Sequence, residues 1–213
     1  MNEWLDEFVE LIFPRECGGC GEPGVHLCWS CRRVLTRPLH RVTTREEVGC
    51  PVWTQNQWRG VARRLVVGVK ERNRGDLYPY LGAALFGAVE RLILLGDVPD
   101  DIVVVPAPTT KAAARSRGGD HMTAICRASG LPYCRLLGYN TSLVDAAGLG
   151  VATRRERLLE AVAVKGIPPA NVLLVDDVVT TGSTLAASHA AVIDASDPAA
   201  PTRVWGAFTF CAA

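Results

Sequence analysis

The apolar and polar positions of this chain alternate between short apolar runs and longer stretches with helical spacing, the pattern of an α/β protein. Residues 102–105 and 172–175 are uninterrupted apolar runs, which favours strands buried on both faces of a sheet. Between and after these runs, apolar residues recur every three to four positions and favour helices that cover the sheet. The elements that this pattern predicts are helices over residues 60–70, 76–95, 121–129 and 185–195 and further strands over residues 50–54 and 204–210.

Three other segments have a less regular pattern. Apolar residues at helical spacing over residues 4–12 predict a short amphipathic helix that Pro14 ends. Residues 143–150 are small and favour a loop, and a helix is expected to begin at Thr153. Residues 158–164 are expected to include part of a strand.

Two carboxylates end the second apolar run. Asp176 and Asp177 follow it directly, and an unpaired buried charge is too costly for an apolar core. We therefore expect the strand to stop there and both acids to emerge at the carboxyl edge of the sheet, where open α/β sheets bind ligands. This interpretation places a ligand site at the end of the strand.

A bend rich in hydroxyl groups follows the acids, over residues 180–184, and leads into the helix over residues 185–195. Backbone N–H groups of such a bend, together with a helix N-terminus, attract an anion. A ligand held by both features presents a phosphate to the bend and hydroxyl groups or a metal to the carboxylates, which a ribose 5-phosphate does. A plain surface turn, with the threonines capping the helix, is the alternative.

Four of the eight cysteines form two Cys-x-x-Cys pairs, Cys17 with Cys20 and Cys28 with Cys31, separated by seven residues. Two such pairs offer four thiolates, the ligand set of a tetrahedral structural Zn²⁺ site. Four sulfur ligands leave no open position for chemistry, so a structural role is expected.

Disulfides and free thiols are the alternatives to zinc, but disulfides suit secreted proteins. His26 and Cys50 are possible substitute ligands. A polar stretch ends near residue 44, so we divide the chain into a zinc-ribbon-like unit over residues 1–44 and a main domain over residues 45–213.

Composition excludes several classes of partner. The formal net charge is +1, so no global field attracts nucleic acid, and we expect no direct nucleic-acid binding. The first residues are acidic, unlike a signal peptide, and the longest apolar run, over residues 81–89, is too short to span a bilayer. We therefore expect a cytoplasmic protein without a membrane segment.

Two loops between the strands offer further phosphate contacts. The first strand runs into Pro106-Ala-Pro-Thr-Thr-Lys111, a rigid loop at a strand's carboxyl end, although an ordinary βα turn fits equally. Arg115 and Arg117 then precede two glycines, Gly118 and Gly119, and arginines suit a polyphosphate through paired donors. A mobile cover here would exclude water from an activated sugar, while a solvated basic loop is the alternative.

The apolar strand, the two acids and the Thr-Thr-Gly-Ser-Thr bend together resemble the fingerprint of the phosphoribosyltransferase family. The resemblance implies an open parallel sheet of the type I phosphoribosyltransferase fold, flanked by helices. It implies that Asp176 and Asp177 contact the ribose of Mg²⁺-bound phosphoribosyl pyrophosphate and act in catalysis. The residues that it assigns to substrate binding, with the basic loop included, are Ala107, Pro108, Thr109, Lys111, Arg115, Arg117, Thr180, Thr181, Gly182, Ser183 and Thr184.

The order of motifs along nearly the full chain is similar to one branch of that family, the ComF-type proteins named for bacterial competence. It comprises the Cys₄ knuckle, a helix with Lys70, a Val-Pro-x-Pro strand end, an Arg-Gly segment and the acidic strand. The chain departs from the branch at Gly119 to His121, at Ala146 and at Arg157, positions that would flank the acceptor or the pyrophosphate.

Two functions follow as expectations. The first is an enzyme that transfers the phosphoribosyl group to an unidentified nitrogen acceptor. The second is a weakly active or inactive module that binds phosphoribosyl pyrophosphate or a nucleotide and acts through partner proteins in DNA uptake, recombination or processing.

Overall fold

The computed structural model describes residues 15–116, 118–140 and 162–213. The helix predicted over residues 4–12, the loop over residues 143–150 and the helix expected from Thr153 lie outside the described residues. The helices are α1 Trp29–Arg32, α2 Gly60–Glu71, α3 Tyr78–Leu94, α4 Lys111–Ser116, α5 His121–Ser129 and α6 Ser183–Asp194. The strands are β1 His40–Arg41, β2 Val52–Gln57, β3 Val103–Pro106, β4 Leu137–Tyr139, β5 Val162–Val164, β6 Asn171–Val179 and β7 Arg203–Ala212.

Five strands form one sheet in the order β1, β2, β7, β6, β3. β2, β7, β6 and β3 run parallel, and the two-residue strand β1 pairs antiparallel with β2. β4 and β5 form a separate antiparallel pair. The chain is thus a mixed α/β protein with a mostly parallel central sheet, which confirms this part of the predicted fold class.

Both faces of the sheet are buried, as the apolar runs predicted. Leu173 and Val175 face one core cluster, which includes the buried side of α2, α3 and α5. Val172 and Leu174 face the second cluster, which includes Leu185 of α6. Since side chains of a strand point alternately to its two faces, an uninterrupted apolar run serves both cores.

The prediction that the two acids end the central strand is wrong. β6 continues through Asp176 and Asp177 to Val179, in parallel register with β7. The strand tolerates the acids because Asp177 is paired with Lys70 and His121, so that a buried charge is compensated rather than expelled.

The second correction concerns residues 111–116. The sequence interpretation placed a rigid loop and then a glycine-rich loop here, whereas the structure has the short helix α4, Lys111–Ser116. Three consecutive alanines, the strongest helix formers, account for it.

The cysteine-rich unit packs into the same core as the main domain. Cys17, Leu27 and Leu35 are buried in one cluster with Leu77 and Leu81 at the start of α3. A short 3₁₀ turn, Arg33–Thr36, follows α1, and a second one, Gly75–Leu77, leads into α3.

Among the described residues, one helical segment is long and apolar enough to cross a membrane by length and composition alone. It is Gly75–Leu94, with 20 residues and a hydropathy of 1.3. Leu81, Leu85 and Val89 of this segment are buried in the core, and a core helix of a globular protein passes the same test.

Candidate functional site

A cavity of about 460 Å³ opens at the carboxyl ends of β3 and β6. Asp176 and Asp177 line it from β6, and residues 107–110 line it from the loop after β3. The Ala107 N–H donates a hydrogen bond to the Val175 carbonyl at 2.8 Å, which continues the pairing of the two strands into the loop. The parallel strands therefore bring two segments, separated by about seventy residues of sequence, to one site.

Asp177 is the fixed charge of this cavity. Its side chain is 5% exposed, and its Oδ2 atom lies 2.9 Å from Lys70 Nζ and 2.9 Å from His121 Nε2. Burial opposes ionisation of Asp177, but the His121 hydrogen bond and the charge of Lys70 outweigh it and lower the pKa of Asp177. Asp177 is therefore an anion at neutral pH.

Asp176 lies beside it in a different electrostatic state. Its Oδ1 atom accepts a hydrogen bond from the Asp177 N–H at 2.8 Å. Burial, and then repulsion by Asp177, raise the pKa of Asp176 to about 7. Two neighbouring carboxyl groups with separated pKa values provide one permanent anion and one group that takes up or releases a proton near neutral pH.

The stability of the protein should depend on pH through Asp176. Between about pH 4 and pH 7 the folded protein holds a proton that the unfolded chain releases, so the free energy of unfolding falls as pH rises through this window. A shift from 3.8 to about 7 limits the fall to about 4 kcal/mol. We expect Asp176→Asn to remove it, as measured by urea unfolding at pH 5 and pH 8.

Asp101→Asn is the matched control, because Asp101 is an exposed acid hydrogen-bonded to Asn171 at the opposite end of β6. It should leave the pH dependence of the wild type in place. If the free energy of unfolding depended on pH in the same way for the wild type and for Asp176→Asn, the raised pKa of Asp176 would be contradicted.

Lys70 and His121 are site residues that sequence reasoning did not pair with the two acids. Lys70 lies in the last turn of α2, and His121 is the first residue of α5. Asp120 caps α5 by accepting from the Met122 N–H, and the Thr109 hydroxyl donates to Asp120 at 3.0 Å, which ties the loop after β3 to this helix. A buried acid implies a cationic partner, but nothing local in the sequence indicates which one.

The residues of the hydroxyl-rich bend after β6 face two different regions of the protein. Thr180 and Thr184 line the cavity. The Ser183 hydroxyl donates to the carboxylate of Glu46, and the Glu46 N–H donates to the Thr181 carbonyl at 2.9 Å. One side of the predicted phosphate cradle thus faces the segment before β2 rather than the cavity.

Gly182 makes this contact possible. Its φ of 94° is a left-handed conformation, and a Cβ atom there would lie 2.8 Å from the Thr44 Cβ. The bend can therefore approach residues 44–46 only with glycine at this position.

None of the basic side chains predicted to contact phosphate is found on the described wall of the cavity. Arg115 is exposed on α4 and does not line the cavity. Arg117 and the Lys111 side chain lie outside the described part of the chain. Of the predicted substrate contacts, those on the cavity wall are Ala107, Pro108, Thr109, Thr180 and Thr184.

Aromatic side chains complete the cavity. Trp58 and Tyr139 both line it, with Met122 and Val178. Burial, and then the nearby Asp176 charge, raise the pKa of Tyr139, so its hydroxyl stays protonated and can donate a hydrogen bond. The cavity thus offers a charged end and an apolar, aromatic wall.

The four cysteines of the N-terminal unit meet in one cluster. The sulfur atoms of Cys17, Cys20, Cys28 and Cys31 lie within 4.8 Å of one another. Cys20 Sγ and Cys28 Sγ are 3.6 Å apart, close to the separation of about 3.8 Å that a tetrahedral site with Zn–S bonds of about 2.3 Å requires. The donor set fits a structural metal such as zinc.

Two local features support metal binding. Burial opposes ionisation of Cys17, but the N–H groups of Cys28, Cys20 and Gly19 outweigh it and lower the pKa of this thiol to about 6. A Cβ atom on Gly19 would lie 2.5 Å from the Cys31 sulfur, so glycine leaves room for the cluster.

The suggested substitute ligands do not join this cluster. His26 Nδ1 lies 2.9 Å from Asp76 Oδ2, and Cys50 is half-buried beside the second core. Cys126 and Cys211 are buried core residues.

A scan of the chain against models of protein families finds no match, and a search among curated proteins finds none either. The geometry of the cavity therefore carries the functional conclusion.

Proposed function

We propose that this chain binds Mg²⁺-bound phosphoribosyl pyrophosphate in the cavity at the ends of β3 and β6 and transfers the phosphoribosyl group to a nitrogen acceptor. The observation that supports this most is the meeting of Asp176 and Asp177, the loop over residues 107–110 and two threonines of the bend in one cavity. This arrangement of residues agrees with the sequence resemblance to ComF-type proteins. The proposal therefore includes membership of that family and a type I phosphoribosyltransferase fold.

Each described residue of the cavity would have a role in binding or catalysis that follows from its charge or its hydroxyl group. Thr180 and Thr184 offer hydroxyl donors to the 5-phosphate at the edge of the bend. Asp177, held as an anion, stabilises the positive charge that develops on the sugar as the glycosidic bond to pyrophosphate breaks. Asp176, with its pKa near 7, accepts hydrogen bonds from the ribose hydroxyls once it is ionised.

The leaving group would lie against the loop after β3. The N-terminus of α4 and the Thr109 and Thr110 side chains are the polar groups that this loop offers. When bound, Mg²⁺ would supply positive charge to the leaving pyrophosphate, and carboxylate oxygens of the kind that Asp176 offers are ligands it prefers.

The proposal is tested by incubating the protein with Mg²⁺, labelled phosphoribosyl pyrophosphate and a panel of nitrogen bases and amines. Pyrophosphate release that depends on one of these acceptors is expected. Asp177→Asn should reduce that release at least about 100-fold, because an anion next to the developing charge is lost. Circular dichroism would check that the variant is folded.

Asp101→Asn again serves as the control and should keep full activity, since Asp101 lies at the far end of β6. Undiminished release by Asp177→Asn, or no release with any acceptor in the panel, would refute the transferase.

One observation favours a second function, a module in which the phosphorylated sugar binds only at the edge of the bend, away from the position that efficient turnover requires. The Glu46 carboxylate, an anion, already contacts the Ser183 hydroxyl in the bend that should receive a phosphate. Like charges repel, so a phosphate must displace Glu46 or bind only at the Thr180 and Thr184 side. Such a module would act through partner proteins. The resemblance to ComF-type proteins suggests that these partners take part in DNA uptake or recombination.

Glu46→Gln should therefore tighten binding of phosphoribosyl pyrophosphate about tenfold, equivalent to about 1.4 kcal/mol, by removing that negative charge while keeping the shape. Isothermal titration calorimetry with Mg²⁺ present measures it. Glu47→Gln changes a neighbouring exposed acid and should leave the affinity as it is. Equal affinities for the Glu46 and Glu47 variants would show that Glu46 does not oppose the phosphate.

A further inference from the structure

A second cavity, of about 750 Å³, forms a groove along α3. One wall is α3 from Pro79 to Leu94, and the other is the segment from Arg32 to Leu39. The buried floor of the groove includes Leu35, Ala84 and Ala88. Concave sites of about 300 to 1,000 Å³ with an apolar lining and a few polar groups are typical of small-molecule binding, so the size and lining of this groove fit such a ligand.

The two walls of the groove are tied together at both ends. At the start of α3, the Arg32 guanidinium lies 4.8 Å from the centroid of the Tyr80 ring, and its Nη2 donates to the Tyr80 hydroxyl at 3.3 Å. Beyond the end of α3, Arg41 Nη2 lies 3.1 Å from Asp97 Oδ1. The groove is therefore formed by contacts within the protein and does not need a ligand to shape it.

Gln55 of β2 places a buried amide in the wall of the groove. Its side chain is fixed because Nε2 donates to the Leu35 carbonyl at 2.7 Å and to the Arg37 carbonyl at 3.2 Å. Gln55 is only 5% exposed, and its Oε1 atom has no hydrogen-bond partner among the described residues. A buried acceptor without a partner is costly, so a ligand that donates an N–H or O–H group from the groove would be stabilised at this point.

The charged residues that line the groove are mostly basic. They are three arginines, Arg32, Arg37 and Arg91, and one acid, Glu90. Arg32 is held against Tyr80, while Arg37 and Arg91 lie further along the groove, one on each wall. A guanidinium binds a carboxylate, sulfonate or phosphate through paired N–H donors, so the groove favours an anionic group on its ligand.

We propose that this groove binds a small organic anion that has an apolar body and one N–H or O–H donor. The apolar body packs on the buried floor, the donor bonds to Gln55 Oε1, and the anionic group pairs with Arg37 and Arg91. The proposal does not depend on the function proposed for the other cavity.

Fluorescent dyes test the site in the full-length protein with a matched set of probes. Anilinonaphthalene sulfonate combines an apolar ring system, one N–H group and a sulfonate, and its fluorescence rises in an apolar site, so a titration gives its Kd. N-phenylnaphthylamine lacks the sulfonate and should bind at least about tenfold more weakly. The N-methyl derivative of the sulfonate dye lacks the N–H group and should bind about fivefold more weakly, because Gln55 Oε1 then stays without a partner.

A variant that fills the groove locates the dye. Gly87 lines the groove, and a Cβ atom there would meet no atom of the described residues within 4 Å. Gly87→Leu therefore occupies the groove without a clash, favours the helix, and should weaken binding of the sulfonate dye at least about tenfold. Phe86→Leu is the matched control, because Phe86 is exposed on α3 but does not line the groove, and it should leave the Kd as it is.

A charge variant tests the arginines. Arg91→Gln should weaken binding of the sulfonate dye about fivefold and leave that of N-phenylnaphthylamine as it is, because only the first dye carries the anionic group. Arg33→Gln is the matched control, since Arg33 is exposed in the adjacent 3₁₀ turn but does not line the groove. Circular dichroism would confirm that each variant is folded.

Saturable binding of the sulfonate dye that weakens in Gly87→Leu and Arg91→Gln, but not in their controls, supports the proposal. Absence of saturable binding would overturn it, as would equal Kd values for Gly87→Leu and Phe86→Leu or for Arg91→Gln and Arg33→Gln. A dye without the N–H group or without the sulfonate that binds as tightly as the parent dye would also overturn it.

Discussion

Replacing Lys70 by methionine is expected to lower the free energy of unfolding by about 3 kcal/mol. The Asp177 side chain is 5% exposed, and Lys70 Nζ lies 2.9 Å from its Oδ2 atom, so the variant leaves a buried carboxylate without its ammonium partner. His121 still contacts that carboxylate and the Lys70 side chain is 40% exposed, which together place the loss at the low end of the range for breaking a buried ion pair. Urea unfolding at pH 7 measures the change.

Two further variants make this test specific. Lys70→Met combined with Asp177→Asn should recover most of the lost stability, because the unpaired charge is then absent. Arg72→Met removes an exposed cation from the end of the same helix and should change stability by no more than about 0.5 kcal/mol. A Lys70→Met variant as stable as Arg72→Met would show that Asp177 is stabilised in another way.

The second large effect is expected at the cysteine cluster. Cys31→Ser should abolish stoichiometric zinc binding and lower the Tm by about 10 °C or more, because the free energy of metal binding is coupled to folding of the unit. Cys31 and Cys17 are each 3% exposed and share a core cluster with Leu77, so loss of the metal site also loosens packing against α3. Elemental analysis and differential scanning calorimetry measure the two effects.

Cys134→Ser is the matched control, since Cys134 is half-buried and lies outside the cluster. It should retain zinc and change the Tm by only a few degrees. A wild-type protein purified without zinc, with disulfides between the four cysteines, would contradict the metal site directly.

The features that sequence reasoning predicted correctly depend on neighbouring residues. The apolar runs over residues 102–105 and 172–175 became β3 and the first half of β6 because local side chains set strand propensity and burial. The cysteine cluster formed because each Cys-x-x-Cys pair brings two sulfur atoms together in one tight turn.

Two of the errors depend on residues far apart in the chain. The sequence gives no local reason for β6 to continue past Asp176, because the groups that compensate Asp177 come from α2 and α5. Likewise, the division of the bend between the cavity and Glu46 depends on a segment more than 130 residues earlier. A third error is local. Arg115, predicted as a phosphate contact from its charge, is exposed away from the cavity because α4, which three adjacent alanines favour, replaces the expected loop.

The amino-acid sequence by itself determined an α/β fold with two strands buried on both faces, a four-cysteine unit ahead of it and a pair of acids followed by a hydroxyl-rich bend. All of these follow from hydrophobic periodicity and from residues that are close in the chain. Tertiary structure alone decided that Lys70 and His121 contact Asp177, that Asp176 titrates near neutral pH and that Glu46 contacts the bend. The physical reason is that a buried charge acquires its energy from whichever groups folding brings within a few ångströms, and chain order does not specify those groups.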